Sequence, residues 1–443
     1  MAASVFDSPL YSRLFPTGEV GRLFTDSAEL RAMLLVEGAL ARVQGAQGII
    51  PETSAQAIHR ATMEVQIDPA SLSAPTGENG VSVPGLVAAF RGEMNAPEHA
   101  QYVHWGATSQ DIIDTALMLR LRQALSLCEE ALRATLNALA ALAGEHAALP
   151  MAARTYGQDA TPTSFGAVVA GWGWPLLDLC AEITALKPAT LWVSLSGAAG
   201  TSAALGPKAD ATRAALAEAL GLHDPGRGWH TDRGPVLRLA GWTGRVSAAL
   251  AKIGEDLTLL SRSGTGEVAL SGSGASSTMP QKQNPVAPAA LSALNAQTQA
   301  QLGALMAAGV HRDQRDGAAW FGEWLALPQL VLGTASALEI ARTLAGQIAP
   351  RPEAMAAHLA AGMDMIHAEA LSFALAARMA RPEAQALVKA LCRDAQQSRT
   401  PLSVLVARDH PDLDGAVLFD PAHQMGNAPA DARRFVQAVA RLG

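Results

Sequence analysis

Aromatic residues are scarce in this chain. They make up 5% of 443 residues, with three tyrosines and nine phenylalanines, which leaves too few strand formers for a large sheet-based core. Charge is thin too, at 16%, and 33 basic residues face 40 acidic ones for a net charge of -7. No nucleic-acid partner is expected, because nonspecific binding needs a basic footprint. The three cysteines, Cys128, Cys180 and Cys392, lie far apart in apolar or helical runs. Neither a disulfide framework nor a zinc spacing can be drawn from them, which fits a reducing, cytoplasmic setting.

Other absences narrow the chemistry. The eleven histidines are scattered without HxxxH or HExxH spacing, so no metal is expected. No Gly-rich phosphate loop follows a predicted strand, and no nucleotide or other cofactor is implied. The first residues, MAASVFDSPLYSRLF, lack the basic and then apolar pattern of a secretory leader. The most membrane-like stretch, Ser164 to Cys180, is interrupted by glycines, Pro175 and Asp178. It reads as a helix buried in a soluble core, and no membrane partner is expected.

What is abundant is alanine, roughly a fifth of the chain, and alanine has the highest helix propensity. The fold class is therefore all-α. A first helix is expected in DSAELRAMLLVEGALARVQGAQGIIP, with Asp26 or Ser27 as cap, Pro51 beyond its end and an apolar face at helical spacing. From Ser109 to about His146 the pattern is almost uninterrupted helix, on the order of 50 Å long. Further long runs cover Phe165 to Lys187, Val236 to Leu260, Pro285 to about Val310 and Trp320 to about Ile348. Five long helices lined with small residues indicate a bundle. The expected division is an N-terminal part over 1–108, a central bundle over 109–350 with a mobile loop at 263–284, and a helical C-terminal part over 351–443.

Three polar segments break this monotony. VHWGATSQDIID delivers His104, Thr108 and Ser109 to the start of the longest helix, where free N–H groups and the positive dipole end can hold an anion. Ordinary N-capping is the plainer reading. ARTYGQDATPTSFG carries Arg154, Tyr156, Gln158 and Thr161 in a loop shaped by Gly157 and Pro162. Arg154 and Gln158 can bind carboxylate there and Tyr156 can donate a hydrogen bond, although Thr and Pro also make good helix starts. SGTGEVALSGSGASSTMPQKQNPV, from Ser263 to Val286, combines four glycines with Ser276, Ser277, Met279, Lys282 and Asn284. Such a loop can close over a substrate and exclude water, whereas a plain linker would not need Met279-Pro280 or Lys282 to Pro285.

Together these segments resemble the signatures of the fumarase/aspartase superfamily, above all in the SSTMPxKxNP portion from Ser276 to Pro285. The resemblance covers essentially the whole chain. It implies a three-domain fold around a central bundle of five long helices, and a homotetramer whose active sites are each shared by three subunits. It also implies a small-molecule tricarboxylate as substrate and a proton removed or added next to a carboxylate through an aci-carboxylate. On that resemblance Ser276 and Lys282 are catalytic, with Ser276 as the proton-transfer group. His104, Thr108, Ser109, Arg154, Tyr156, Gln158, Thr161, Ser277, Met279 and Asn284 contact substrate. Arg312 and Arg315, between two bundle helices with His311, are candidates for binding the same anion, with surface ion pairing as the alternative.

Departures from the family pattern carry information. Tyr156 stands where the lyases have the catalytic histidine of GRTHGQ, Ala289 stands where many have a glutamate, and Ala275 replaces the usual glycine. The histidine and glutamate shuttle a proton to a leaving group. An intramolecular carboxylate has a low pKa and leaves unaided, so losing both residues is coherent for a cycloisomerase. A lyase acting on adenylosuccinate or another polycarboxylate is the runner-up, and a noncatalytic scaffold is the third reading.

Overall fold

The computed structural model describes residues 4–272, 274–275, 279 and 282–442. The long helices stand where the periodicity places them: Ser109–Glu145, Phe165–Thr190, Gly234–Ser261, Val286–Ala308 and Gly317–Ala345. Their inward faces follow the helical repeat. Leu132, Leu136 and Leu139, for example, are completely buried on the first of them.

The described residues gather into two compact units. One comprises the chain up to Ala131 with Leu179–Ala248 and Ala293–Glu339; the other comprises Leu132–Asp178, Ala249–Ser292 and the chain from Ile340 on. Each unit draws a stretch from all five long helices.

Within the first unit the helices are cross-tied by side chains. The Trp242 indole donates to the Leu179 carbonyl at 3.0 Å and Gln299 donates to the Gly244 carbonyl at 2.9 Å. Asp26–Ala46, the helix predicted near the N-terminus, ends before Gln47 and is capped not by Asp26 or Ser27, which lie within its first turn, but by Thr25, whose hydroxyl accepts the Ala28 N–H. In the second unit, small residues allow bundle-like close approach. A Cβ on Gly254 would lie 2.6 Å from the Pro288 carbonyl oxygen, and one on Gly173 would lie 2.0 Å from the Phe435 ring. The C-terminal helices pack their own apolar cluster around Leu371, Leu375, Leu391, Leu402 and Val406.

Three short ladders depart from a purely helical expectation. β1 (Pro150–Thr155) pairs antiparallel with β2 (Gln158–Ser164), so the expected loop is a hairpin. β3 (Val268–Leu270) pairs antiparallel with β6 (Ile348–Pro350). Between them in sequence, β4 (Gly274–Ala275) pairs antiparallel with β5 (Gln283–Asn284), which brackets residues 276–282.

The membrane reading also shifts. Among the described single helices, Gly317–Ala345 rather than the Ser164 to Cys180 stretch is long and apolar enough to cross a membrane, but 72% of its apolar window is buried. It also carries Glu323 into a buried ion pair, so it is a core helix.

Candidate active site

The first unit holds the residues around the start of the longest helix. Thr108 precedes that helix, and its N–H donates to Asp111 Oδ2 at 3.0 Å, the backward half of a capping box. Asp111, completely buried, also accepts the N–H groups of Ser196 and Gly197 at 2.8 and 2.9 Å and the Ser194 hydroxyl at 3.1 Å. His230 Nε2 lies 2.8 Å from its other oxygen. One carboxylate thereby ties the helix start to the 194–197 segment.

One turn further on, Asp114 meets Arg233 in a two-pronged contact of 2.8 and 3.0 Å, and Arg233 forks again onto Glu323 at 2.9 and 2.6 Å. All three side chains are buried, and the guanidinium also stacks 4.8 Å over the Trp229 ring. Asp111 and Asp114 are three residues apart on one helix face, and their partners His230 and Arg233 are three apart as well. Each partner lies 119 residues away in the sequence.

Arg315 reaches this region: its Nε donates to Gln110 Oε1 at 2.9 Å and its terminal nitrogen lies 3.4 Å from the Thr108 hydroxyl. Arg312 instead pairs with Asp316 and is exposed, and that pairing holds the Asp316 carboxyl far below the usual range. Burial and the nearby Arg233 push the His311 imidazole below its ordinary value. His311 is consequently neutral near pH 7 and adds no cation. His104 is held by Glu37, with Nδ1 2.7 Å from Oε1 and its backbone N–H 3.1 Å from Oε2.

The second unit holds the other two motifs. Tyr156 and Gly157 form the two-residue turn of the hairpin, with φ of 52° and 74°, the pattern that matches strand twist. The Tyr156 side chain is fully exposed and Gln158 is exposed, while Thr161 lies half-buried in β2. Arg154 on β1 forks onto Glu267 at 2.6 and 2.8 Å and reaches Asp159 at 3.2 Å. Glu267 is completely buried and immediately precedes β3. This ion pair therefore joins the ARTYGQ hairpin to the base of the Gly-rich segment.

In that segment Lys282 is exposed and Asn284 half-buried on β5, with Met279 exposed. Ser276 and Ser277 lie outside the described residues, so the proton-transfer assignment rests on the motif. Glu37, Asp111, His230, Arg233 and Glu267 were not singled out as site residues from sequence. The T-x-x-D spacing from Thr108 to Asp111 was the one local signal.

No group of three or more His, Cys, Asp or Glu side chains among the described residues is arranged to hold a metal ion. Burial pushes the Cys128 thiol up to about 12, with Glu339 adding to the rise, so this cysteine is no nucleophile.

A long-helix fold with these three motifs defines a lyase-type enzyme. The Lyase family model matches residues 16–299, and the chain belongs to the fumarase/aspartase superfamily. Within it, the chain is 37% identical to a 3-carboxy-cis,cis-muconate cycloisomerase of Pseudomonas aeruginosa, covering 98% of this chain and 97% of that one. The crystal structure of the 3-carboxy-cis,cis-muconate lactonizing enzyme from Pseudomonas putida superposes with a TM-score of 0.91 at 34% identity, over 98% and 99% of the two chains. A nitrosuccinate lyase of Streptomyces davaonensis is 34% identical over 98% of this chain and 95% of its own. The protein is thus an enzyme of the lyase and cycloisomerase class.

Proposed function

We propose that the protein is a cytoplasmic cycloisomerase that closes 3-carboxy-cis,cis-muconate to 4-carboxymuconolactone in protocatechuate degradation. The observation that carries this reading is the paired departure at Tyr156 and Ala289. The hairpin tip offers an exposed phenol in place of the lyases' imidazole, and no glutamate stands at 289 to relay a proton.

In the forward direction a substrate carboxylate oxygen adds across a conjugated double bond. The electron pair moves onto a second carboxylate as its aci form, and Ser276 then donates a proton to the carbon between them. Lys282 and Asn284 stabilise the aci-carboxylate, whose doubled negative charge is met by a cation and an amide donor. Thr108, Ser109 and Gln158 hold the remaining oxygens, with His104, Tyr156, Thr161, Ser277, Met279, Arg312 and Arg315 lining the site. Arg154, forked to Glu267, keeps the hairpin in register with the loop base. The chain is divided near residues 108 and 350 and works as a homotetramer, each active site completed by residues from three subunits.

The test is spectroscopic. Purified protein with authentic substrate should abolish the ultraviolet absorbance of the conjugated diene, and an unchanged spectrum refutes the assignment. Ser276→Ala should lower kcat by about a hundredfold or more with KM within a few-fold, and a variant near wild type would remove Ser276 from proton transfer. A second reading, β-elimination from another polycarboxylate, is favoured by the likeness to the nitrosuccinate lyase. Turnover of adenylosuccinate should be negligible, because its leaving amine needs the proton that the missing histidine would supply.

A further inference from the structure

Glu37 sits in the Asp26–Ala46 helix among the buried Val36, Ala39 and Leu40, and is itself 2% exposed. A carboxylate in such surroundings is costly unless it is paired. Both of its oxygens serve one residue: Oε1 lies 2.7 Å from His104 Nδ1 and Oε2 accepts the His104 backbone N–H at 3.1 Å. His104 adopts φ of 64°, a left-handed conformation that non-glycine residues take up only when held. An ionised carboxylate only accepts hydrogen bonds, so Nδ1 carries the proton. Nε2, on the far side of the ring, makes no hydrogen bond among the described residues, and the side chain is 20% exposed. The histidine lies four residues before Thr108, in the loop that leads into the longest helix.

We propose that Glu37 is a positioning residue that fixes the His104 ring, with Nε2 directed at a carboxylate of the substrate. This deepens the polycarboxylate reading above and rests on it for the substrate class. The groups acting on the ring agree with it. Burial works against the cation and Arg91 opposes it, but Glu37 and Asp111 outweigh both and hold the imidazole above its ordinary 6.5. The imidazolium is fully present below 6.5 and is lost as pH rises through the raised value, so substrate affinity weakens over that interval.

The experiment compares wild type with Glu37→Gln and Glu37→Asp. Carbethoxylation of His104 by diethyl pyrocarbonate, followed by peptide mass spectrometry across pH, reports the proton on its ring without any turnover. In Glu37→Gln the midpoint should fall, and the concentration of tricarballylate that protects His104 should rise about tenfold. KM should rise by a similar factor with kcat nearly unchanged, and Glu37→Asp should lie between. If Glu37→Gln does not fold, Glu37→Asp carries the same readouts. An unchanged midpoint, unchanged protection, or a loss in kcat alone overturns the proposal. Absence of turnover in wild type would instead refute the cycloisomerase assignment, while midpoint and protection still decide the role of Glu37.

Discussion

At the scale of single residues the largest electrostatic commitment is Arg233, completely buried between Asp114 and Glu323. Burial holds the Glu323 carboxyl above its ordinary range, with Arg233 opposing that rise. Removing the cation leaves two carboxylates in a dry site with no counter-charge. Arg233→Met should therefore lose about 3–5 kcal/mol in urea unfolding at pH 8. Glu323, already held high by burial, would lose the cation that opposes that rise, so its folded pKa would lie further above its unfolded one. Stability is then present below the unfolded value and lost as pH rises through the folded one, so part of the loss should be recovered at pH 5. A deficit equal at both pH values would show that the carboxylates are not the cause. None of this was legible in the sequence, because Asp111 and Asp114 find their partners 119 residues away. The motif residues were legible because each motif is local. Glu37, Asp111 and Glu267 act through folded contacts across 67 to 119 residues.

At the scale of elements, the five long helices were readable to within about three residues at either end because alanine and leucine periodicity is itself a local signal. The hairpin was not. Pro150 and Pro162 flank a run of Ala, Arg, Thr and Gln without alternating apolar residues, and β3 finds its partner some 80 residues on, in β6. The turn also contains a cost. Tyr156 has φ of 52° and a fully exposed side chain, so it pays conformational strain with no packing in return. Tyr156→Asn keeps the turn in a residue that tolerates the left-handed region. It should stabilise the protein by about 0.5–1 kcal/mol and raise KM, since the phenol is proposed to meet substrate. A variant with lower melting temperature and unaltered KM would place the tyrosine in packing rather than in binding.

At the scale of the whole molecule, the apolar surface of the first unit is informative. Phe321 and Leu325, 41% and 78% exposed, stand four residues apart on the Gly317–Ala345 helix, while Met306, 48% exposed, lies near the end of Val286–Ala308 and Val310, 75% exposed, lies just beyond it. Residues four apart share a helix face, so Phe321 and Leu325 form an apolar stripe, and Met306 and Val310 add further exposed apolar surface. Trp320, Ala326, Leu327 and Leu330 already satisfy the core from the same helix. This exposed apolar surface is accordingly surplus to a single chain, and each large apolar side chain covered is worth about 1.5–3 kcal/mol. The proposed tetramer would cover it by packing long helices of neighbouring subunits together. Leu325→Glu tests this without burdening the fold, because the side chain is mostly exposed within one chain. Its circular dichroism should match wild type, while light scattering should show a smaller species. Turnover should fall in step with dissociation, since a site shared among three subunits cannot survive in a monomer. A Leu325→Glu protein that stays assembled and active would mean that the subunits meet on another face.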